Sequence, residues 1–393
     1  MSEPWLSIIG LGEDGLAGLG APARHALAAA EIVFGGARHL ALADAGARGR
    51  EWPVPFDVAP VLALRGRPVA VLASGDPFWH GAGGTLTARL VPGEWRAFPA
   101  AGCVSLAAAR LGWRLEDTAC LGLHAAPFER LLPHLAHGAR ALCLLRDGAA
   151  GAALAAWLAE HGWGASRVWL MEALGGPNER VRETTAAGYA LHDAVSPALL
   201  AVEAAGGRPL PRCAGLPEAL FAHDGQITKS PVRALTLAAL APRPGELLWD
   251  VGAGSGSVSI EFCLAGGRAL AVETRAERVA NIEANVRRFG LQDRLTVVEG
   301  HAPQALEALP APDAVFVGGG LDEAVFDAIW ARLPPGARLV ANGVTLETEA
   351  LLATLHARHG GELLRIELAR AAPLGRMRGW QPARPVVQWT VGK

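Results

Sequence analysis

Lysine is nearly absent from this chain of 393 residues, in which only Lys229 and Lys393 occur and arginine supplies the other basic side chains. The chain also lacks a basic excess, because its 36 basic and 38 acidic residues leave a net charge of -2. Basic surfaces drive binding to nucleic-acid phosphates, so we expect no nucleic-acid partner. Lys229 lies inside the body of the chain. It is either a functional residue or a solvated lysine without a function, in a chain whose composition is biased towards arginine.

Long hydrophobic runs are missing as well. The longest stretch without a charged residue, Ala97–Ala109, has 13 residues, whereas a helix needs roughly 20 apolar residues to span a bilayer. The amino terminus carries Glu3 and Pro4 before its short apolar run and lacks the basic start of a secretion signal. The five cysteines are scattered, and none is spaced as in CxxC. We therefore expect a cytoplasmic protein with no membrane partner and no structural zinc site.

The length of the chain and a segment rich in glycine and proline predict two domains joined by a linker. A chain of this length fits two or three domains of roughly 150 residues. Between Glu203 and Asp224, glycines and prolines interrupt regular structure. We therefore predict domains at residues 1–205 and 223–393, with a linker at 206–222. Short apolar runs alternate with Ala/Leu-rich stretches of helical length, which predicts an α/β fold with parallel sheets. The runs that carry this pattern are Trp5–Ile9, Val69–Leu72, Ala141–Leu145 and Ala198–Val202.

A glycine-rich turn in the second domain is the strongest chemical signal. The apolar run Glu246–Trp249 leads into Asp250-Val-Gly-Ala-Gly-Ser-Gly256 and then into a stretch with helical pattern, Ser257–Leu264. Glycines adopt backbone conformations closed to other residues, and their missing side chains let a ligand lie against the main chain. We expect the loop to bind a cofactor through Gly252, Ala253, Gly254, Ser255 and Gly256.

An acidic residue at the end of the next predicted strand supports this assignment. The strand Arg268–Val272 is followed by Glu273, 23 residues after Asp250. A carboxylate at that point can accept hydrogen bonds from both ribose hydroxyls of an adenosine. The glycine spacing is GxGxG rather than G-x-G-x-x-G, and it resembles motif I of S-adenosylmethionine-dependent methyltransferases. NAD and a tight turn without a ligand remain alternatives.

Further segments along both domains resemble one family, the decarboxylating precorrin methyltransferases, in which a tetrapyrrole methylase domain is fused to a Rossmann-like methyltransferase domain. The segments in the first domain are Ile8–Gly15, Ser74–Pro77, Ser105–Trp113 and Leu174–Arg180. Those in the second are Asp224–Lys229, Gly318–Gly320, Ala341–Glu347 and Ala371–Gly375. Val297–Pro303 and Asp313–Gly320 resemble the adenine-contacting segment and the fourth strand of S-adenosylmethionine-dependent methyltransferases. Together they cover nearly the whole chain.

The resemblance implies a fold and an activity. The fold is α/β, with a two-lobed tetrapyrrole methylase domain followed by a Rossmann-like S-adenosylmethionine-dependent methyltransferase domain. The activity is methylation of a precorrin at carbon 5 by the first domain, and methylation at carbon 15 with loss of the carbon-12 acetate carboxylate by the second, in corrin ring (cobalamin) synthesis. Both related families often form oligomers, so we expect a homo-oligomer.

Resemblance also assigns residues in the first domain to the cofactor. Gly12, Gly75 and Asp76, with Gly102 and Cys103, would line a cleft that holds S-adenosylmethionine. Gly-Asp-Pro is also ordinary turn chemistry, so a plain turn is the alternative for Ser74–Pro77. The chain departs from the family pattern at Ala101-Gly102, where Pro-Ser is common, and at His124-Ala-Ala126, where His-Gly-Arg is common. The lost arginine could have met a substrate carboxylate.

In the second domain, resemblance brings Thr228 and the backbone of Ala302 to the cofactor. His301 stands where relatives usually have Asp, and it is either an adenine neighbour or a loop residue without a ligand. Lys229 and Asn342 would face carboxylates of the macrocycle or the departing acetate group and are the candidate catalytic residues. Arg376 and Arg378 are further cationic candidates, and each of these four could instead be a surface or helix-capping residue.

Two other functions remain possible from the sequence. One is an NAD-dependent oxidoreductase whose second domain carries the nicotinamide. The other is a tetrapyrrole carrier that keeps both folds but has lost turnover, which the departures in the first domain make conceivable. Binding of S-adenosylmethionine rather than NAD separates the first alternative from a methyltransferase, and product formation separates the second.

Overall fold

A computed structural model describes residues 4–393, which form two compact units. The first contains the chain up to Phe128 and His134–Pro209, and the second contains Glu129–Pro133 and Leu210–Lys393. Within the described chain, every helix is too short or too polar to cross a bilayer.

The first unit contains a five-stranded parallel sheet with the strand order β3-β2-β4-β1-β5. Its central strands are almost wholly buried, because helices and loops cover both faces of a parallel sheet. The strands β1 to β5 are Leu6–Leu11, Ile32–Gly35, Gly49–Glu51, Val69–Ser74 and Trp95–Phe98. The helices α1 to α4 are Ala21–Ala29, Ala37–Leu42, Ala59–Leu62 and Gly83–Thr87.

A second five-stranded sheet of this unit has the order β6-β7-β10-β8-β9, and only β6 and β7 pair in parallel. The sequence predicted parallel sheets, whereas most strand pairs of this sheet are antiparallel. A short connection joins β8 to β9, and such connections pair strands antiparallel. The strands β6 to β10 are Thr118–Gly122, Arg140–Leu144, Arg167–Glu172, Arg180–Thr185 and Ala198–Glu203, and the helices α5 and α6 are Cys103–Leu111 and Ala149–Leu158.

The second unit contains a seven-stranded sheet in the order β13-β12-β11-β14-β15-β19-β16, with β19 antiparallel to both neighbours. The strand order reverses between β11 and β14, and ligands bind at such a switch point, beyond the carboxyl ends of the strands. Strands β11 to β16 are Leu247–Val251, Arg268–Glu273, Leu295–Glu299, Ala314–Val317, Arg338–Gly343 and Glu362–Ile366, and β19 is Val386–Gly392. Helices α7 to α11 are Ser230–Leu240, Ser257–Leu264, Ala276–Arg288, Glu323–Arg332 and Leu346–His359.

A two-stranded hairpin separates β16 from β19. Its strands, β17 (Ala369–Leu374) and β18 (Met377–Pro382), pair with each other and form a sheet of their own. Leu374, Met377 and Trp380 are mostly exposed. The hairpin therefore presents apolar side chains to solvent.

Much of the segment predicted as a linker packs within the second unit. Leu216 and Phe221 are buried in its core. The buried carboxylate of Glu261 accepts the Gly215 and Leu216 amides at 2.7 and 3.0 Å and the Arg233 Nε at 2.6 Å. A charge pair with these extra hydrogen bonds is the form in which buried charges are tolerated, so this stretch is tied to α7 and α8.

Candidate active sites

The first unit contains a cavity of about 510 Å³ at the carboxyl ends of β1 and β4. All five residues that the sequence assigned to the first cofactor site line it. They are Gly12, Gly75, Asp76, Gly102 and Cys103. The structure therefore brings together residues that lie up to 91 positions apart in the chain.

Close approach of two loops explains the glycines at this site. Gly75 has a φ of +57°, and a Cβ atom there would lie 2.3 Å from the Gly102 Cα. The Gly75 N–H donates to the Leu11 carbonyl at 3.1 Å, while the Ala100 N–H donates to the Gly75 carbonyl at 3.2 Å. No side chain fits at Gly75 without moving backbone, so the loop after β4 is pressed against the segment that begins α5.

Asp76 and Cys103 have different environments in this cavity. The Asp76 Oδ1 accepts the Phe78 N–H at 2.8 Å and closes the turn that the Gly-Asp-Pro pattern predicts. Cys103 is the first residue of α5, and burial raises the pKa of its thiol. The thiol is therefore protonated at neutral pH, which suits a wall residue and not a nucleophile.

The same cavity contains a polar cluster that the sequence did not indicate. Arg38 pairs with Glu13 and donates to the Ser74 Oγ at 2.9 Å, and the His39 Nε2 lies 2.8 Å from that Oγ. Burial, with a smaller contribution from the Arg38 charge, lowers the pKa of His39 to about 4. His39 is therefore neutral at pH 7. The pair Arg38-His39 follows β2 closely, but nothing in its spacing connects it with Ser74.

The cations of this region differ from the family pattern. Arg38 is the one arginine or lysine that lines the cavity in the described chain. Ala126, which stands where the family commonly has arginine, lines an adjoining space of about 430 Å³ together with Arg146. The Arg146 Nε donates to Asp147 at 2.9 Å. A substrate carboxylate in the larger cavity would therefore meet Arg38.

The second unit contains a cavity of about 560 Å³ at the switch point of its sheet. Eight of the predicted residues line it: Thr228, Gly252, Ala253, Gly254, Ser255, Glu273, Ala302 and Asn342. Gly318, Gly319 and Gly320, which follow β14, complete the wall. Gly256 and Lys229 are not part of the lining.

The glycine loop leaves room for a ligand against its main chain. Gly252 has a φ of +69°, and a Cβ atom there would lie 2.5 Å from the Gly319 carbonyl oxygen. Gly254 has a φ of +60°, and its Cβ would meet only the Gln226 carbonyl oxygen, at 3.6 Å. Gly256 has a packing role, since its Cβ would lie 2.9 Å from the Ile282 side chain where α8 begins. The open main chain at Gly254 fits a nucleoside-containing cofactor.

Glu273 connects the end of β12 with the glycine loop. Its Oε2 accepts the Gly254 N–H at 2.8 Å, and its Oε1 accepts the amides of Thr274 and Arg275 at 2.9 and 3.1 Å. The side chain is nearly buried yet lines the cavity. Each carboxylate oxygen accepts about two hydrogen bonds, so Oε2 keeps room for a ribose hydroxyl whereas Oε1 is occupied.

Asp250 lies behind this loop and is fully buried. Its Oδ2 accepts the Ser259 hydroxyl at 2.7 Å, whereas its Oδ1 has no hydrogen-bond partner in the described structure. Burial raises the pKa of Asp250 to about 6, and the charge of Glu273 adds to the shift. The Asp250 side chain is thus bonded to α8 and is absent from the cavity wall.

The candidate catalytic residues have unequal positions. The Asn342 Nδ2 donates to the Thr236 Oγ1 at 2.9 Å, so its side chain is held at the cavity wall. Lys229 caps α7 with its backbone and is exposed. Arg376 and Arg378 lie on the exposed hairpin, outside the lining.

Two arginines that the sequence did not single out line this cavity. Arg278 donates from Nε to the Asp224 Oδ2 at 2.9 Å, and Arg275 makes no ion pair with the described residues. His301 lines the same wall. The two arginines lie at the start of α9, and His301 follows β13. Only the tertiary structure brings the three side chains to one cavity wall.

Strand order, the glycine loop and the acid at the end of β12 define the second unit as a Rossmann-like domain. Residues 219–393 match the precorrin methyltransferase domain family. Residues 6–189 match the tetrapyrrole (corrin/porphyrin) methylases. The chain is thus a two-domain tetrapyrrole methyltransferase.

Whole-chain relatives identify the family. The chain is 50% identical, over 99% of its length and 96% of the relative's, to the precorrin-6Y C(5,15)-methyltransferase [decarboxylating] of Sinorhizobium sp. It is 41% identical, over 98% of its length and 99% of the relative's, to the protein of that name from Mycobacterium tuberculosis H37Rv. The chain belongs to the family of decarboxylating precorrin-6Y C(5,15)-methyltransferases. These relatives give no support to an oxidoreductase or a carrier.

A solved structure is also similar to part of the chain. The crystal structure of the C-terminal domain of precorrin-6Y C5,15-methyltransferase from Rhodobacter capsulatus is 61% identical. The match covers 47% of this chain and 100% of that one, with a TM-score of 0.46.

Proposed function

We propose that this enzyme uses S-adenosylmethionine in both units to methylate a precorrin at carbons 5 and 15, with decarboxylation of the carbon-12 acetate. The observation that carries the proposal is the second cavity, where Gly254 and Glu273 form an open cradle joined by a hydrogen bond of 2.8 Å. Whole-chain identity to relatives of that name supports the substrate class.

The bound cofactor supplies a methyl group that a sulfonium has already activated. The protein's main contribution is alignment, which can supply up to roughly 7–11 kcal/mol of barrier reduction for a well-oriented pair. In the second cavity, Glu273 would hold a ribose hydroxyl, and Thr228 and the Ala302 backbone would contact the cofactor. Asn342 would orient substrate carboxylates, together with Lys229, which follows the cavity-lining Thr228 in the sequence.

The loss of carbon dioxide needs no metal cluster or conventional triad, because the conjugated macrocycle can delocalise the electrons left behind. Protein groups would chiefly orient the carboxylate and control protonation. In the first cavity, Gly12, Gly75, Asp76, Gly102 and Cys103 would contact the cofactor. Arg38, which lines the same cavity, would meet a carboxylate in place of the arginine that the family pattern commonly has.

The division of labour is part of the proposal. Residues 1–205 would methylate carbon 5, and residues 223–393 would methylate carbon 15 and decarboxylate, with 206–222 between them. Cytoplasmic location and assembly into a homo-oligomer are further parts. The exposed Leu374, Met377 and Trp380 of the hairpin support self-association.

Product mass tests the function directly. We expect incubation with precorrin-6B and S-adenosylmethionine to add two methyl groups and remove one carbon dioxide. Calorimetry should show binding of the demethylated cofactor and no binding of NAD. An unmodified substrate after incubation with folded protein would contradict the proposal.

A further inference from the structure

A buried polar network holds the side chain of Asn342. Thr236 on α7 and Gln388 on β19 are both buried, and Asn342 on β15 lies opposite Gln388 in the sheet. The Asn342 Nδ2 donates to the Thr236 Oγ1 at 2.9 Å. The Gln388 Nε2 donates to the same Oγ1 at 3.0 Å and to the Asn342 Oδ1 at 2.9 Å. Three secondary-structure elements therefore meet at one hydroxyl.

The direction of each hydrogen bond in this network is fixed. A threonine hydroxyl has a single proton, and Thr236 donates it to the Val232 carbonyl at 2.9 Å. The oxygen of Thr236 must therefore accept from both amides. Both protons of the Gln388 Nε2 are then used, one for Thr236 and one for Asn342. The network assigns the oxygen and nitrogen positions of both amides.

This directionality allows one orientation of the Asn342 amide. A rotation by 180° would place its oxygen against the Thr236 oxygen and its nitrogen against the Gln388 nitrogen. Two acceptors and two donors would face each other in a buried site, which leaves polar groups unpaired at considerable cost. Asn342 consequently keeps one Nδ2 proton that no described residue accepts, on a side chain that lines the second cavity.

We infer that Thr236 and Gln388 are positioning residues that hold the Asn342 amide with its remaining N–H available to the acetate carboxylate of the substrate. The inference rests on the proposed function. Decarboxylation breaks the bond between the acetate methylene and the carboxyl carbon, and its electron pair enters the conjugated macrocycle. Carbon dioxide leaves, and the electron pair returns to the methylene carbon as it takes a proton from water, which gives a methyl group and hydroxide.

Orientation is decisive for this step, because the breaking bond must overlap with the π system and therefore stand out of the ring plane. A fixed donor can hold the carboxylate in that geometry, whereas an amide free to rotate would also present its oxygen and repel the carboxylate. Precise placement by a rigid supporting shell is worth orders of magnitude in rate when misplacement is about 1 Å.

The test compares Thr236→Val, which removes the shared hydroxyl with little change in shape, with Thr236→Ser, which retains it. We expect Thr236→Val to lower carbon dioxide release at saturating substrate by about tenfold. Thr236→Ser should stay close to the wild-type rate, and the KM for S-adenosylmethionine should be unchanged in both. Thr354→Val is a matched control, because Thr354 makes the same hydroxyl bond to a preceding carbonyl, Ala350, on an exposed helix face.

Gln388→Glu supplies a second, independent measurement. The introduced carboxylate cannot donate to the Asn342 Oδ1 as the Gln388 Nε2 does, so the Asn342 amide should lose its fixed orientation. Carbon dioxide release should fall more than the affinity for the demethylated cofactor, while Gln292→Glu, at an exposed position, should have no effect.

Equal impairment in Thr236→Ser and Thr236→Val would overturn the inference, as would a wild-type rate of carbon dioxide release in soluble Gln388→Glu. Failure of the proposed function is a different result, since the wild-type enzyme itself would then release no carbon dioxide from the precorrin.

Discussion

The two cavities use an acidic residue beside glycines in different ways. In the first unit, Asp76 accepts the Phe78 amide, two residues further along the same turn. In the second, Glu273 accepts the amide of Gly254, which belongs to the loop after a neighbouring strand. A local bond fixes a turn, whereas a bond between loops fixes the shape of a binding site. An acidic residue beside glycines is therefore stronger evidence for a cofactor site in the second unit than in the first.

The cavities also differ in charge. Arg38 in the first cavity pairs with Glu13 at the same wall. In the second cavity, Arg275 has no ion pair among residues 4–393, and Arg278 pairs with Asp224. An unpaired guanidinium at a cavity wall is suited to carboxylates, so the second cavity offers the stronger attraction for an acidic macrocycle.

We expect the largest effect on cofactor affinity from a Cβ atom added at Gly252 in the second unit or at Gly75 in the first. Gly252→Ala forces a Cβ to within 2.5 Å of the Gly319 oxygen at a positive φ. We expect the affinity of the second site for S-adenosylmethionine to fall by about a hundredfold, with the first site unchanged. Gly75→Ala places a Cβ 2.3 Å from the Gly102 Cα. It should weaken binding at the first site and leave the second site unchanged.

Calorimetry with product masses measures both effects. Gly392→Ala is the control, because a Cβ there would have its nearest contact at 3.9 Å. If either variant weakens both sites equally, the two cavities do not bind cofactor independently.

Removal of the Glu273 carboxylate, which connects β12 with the glycine loop, should have the next largest effect on cofactor affinity. Glu273→Ala loses a ribose acceptor and frees the Gly254 amide, so affinity at the second site should fall by at least about tenfold. The product should then carry at most one added methyl and an intact acetate. Glu299→Ala, at the paired position of β13 and exposed, is the control. Normal addition of two methyl groups by Glu273→Ala would contradict the assignment.

Asp76 should have a smaller effect that separates its two roles. Asp76→Ala removes the acceptor for the Phe78 amide, and we expect carbon-5 methylation to fall several-fold. Asp76→Asn retains an acceptor for that amide and loses the charge. A wild-type rate in Asp76→Asn would mean that Asp76 only closes the turn, and an equal loss in both variants would favour direct contact with the cofactor.

Acidification should shift the stability of the two units in opposite directions. His39 has a pKa of about 4 in the folded unit and an ordinary value of 6.5. Between these values the unfolded chain binds the extra proton, so the free energy of unfolding of the first unit falls as pH falls. Asp250 has a pKa of about 6 when folded and an ordinary value of 3.8. Here the folded unit binds the proton, so stability rises as pH falls through that window.

Native-state hydrogen exchange in β4 and β11, at neutral pH and at about pH 5, measures each unit separately. His39→Gln and Asp250→Asn should flatten the respective pH dependences. A pH dependence of β4 exchange that is the same in His39→Gln and wild type would contradict the first sign, and the corresponding result for Asp250→Asn would contradict the second.

Lys229 should have the smallest effect, because its side chain is exposed and does not line the cavity. We still expect Lys229→Ala to lower turnover by the second unit more than cofactor affinity, as befits a group that meets an incoming substrate. Unchanged turnover at saturating substrate would make Lys229 a solvated surface residue.

Much of the fold and of the site could be predicted from local sequence. The apolar runs at Val69–Leu72 and Ala198–Val202 form the buried strands β4 and β10. The predicted helix Ser257–Leu264 is confirmed residue for residue. The glycine loop and Glu273 were recognisable because a strand, a turn and an acid at the end of the next strand follow one another within a short stretch of chain.

The tertiary structure alone decided how distant residues meet. Gly256, which the sequence predicted as a ligand contact, lies outside the cavity lining and packs against Ile282 on another helix. Arg38 and Ser74, 36 positions apart, form one cluster, and Thr236, Asn342 and Gln388 meet across up to 152 positions. Local patterns follow from backbone geometry and burial of nearby side chains, whereas the direction of a buried hydrogen bond depends on which remote donor or acceptor the complete chain path brings within about 3 Å.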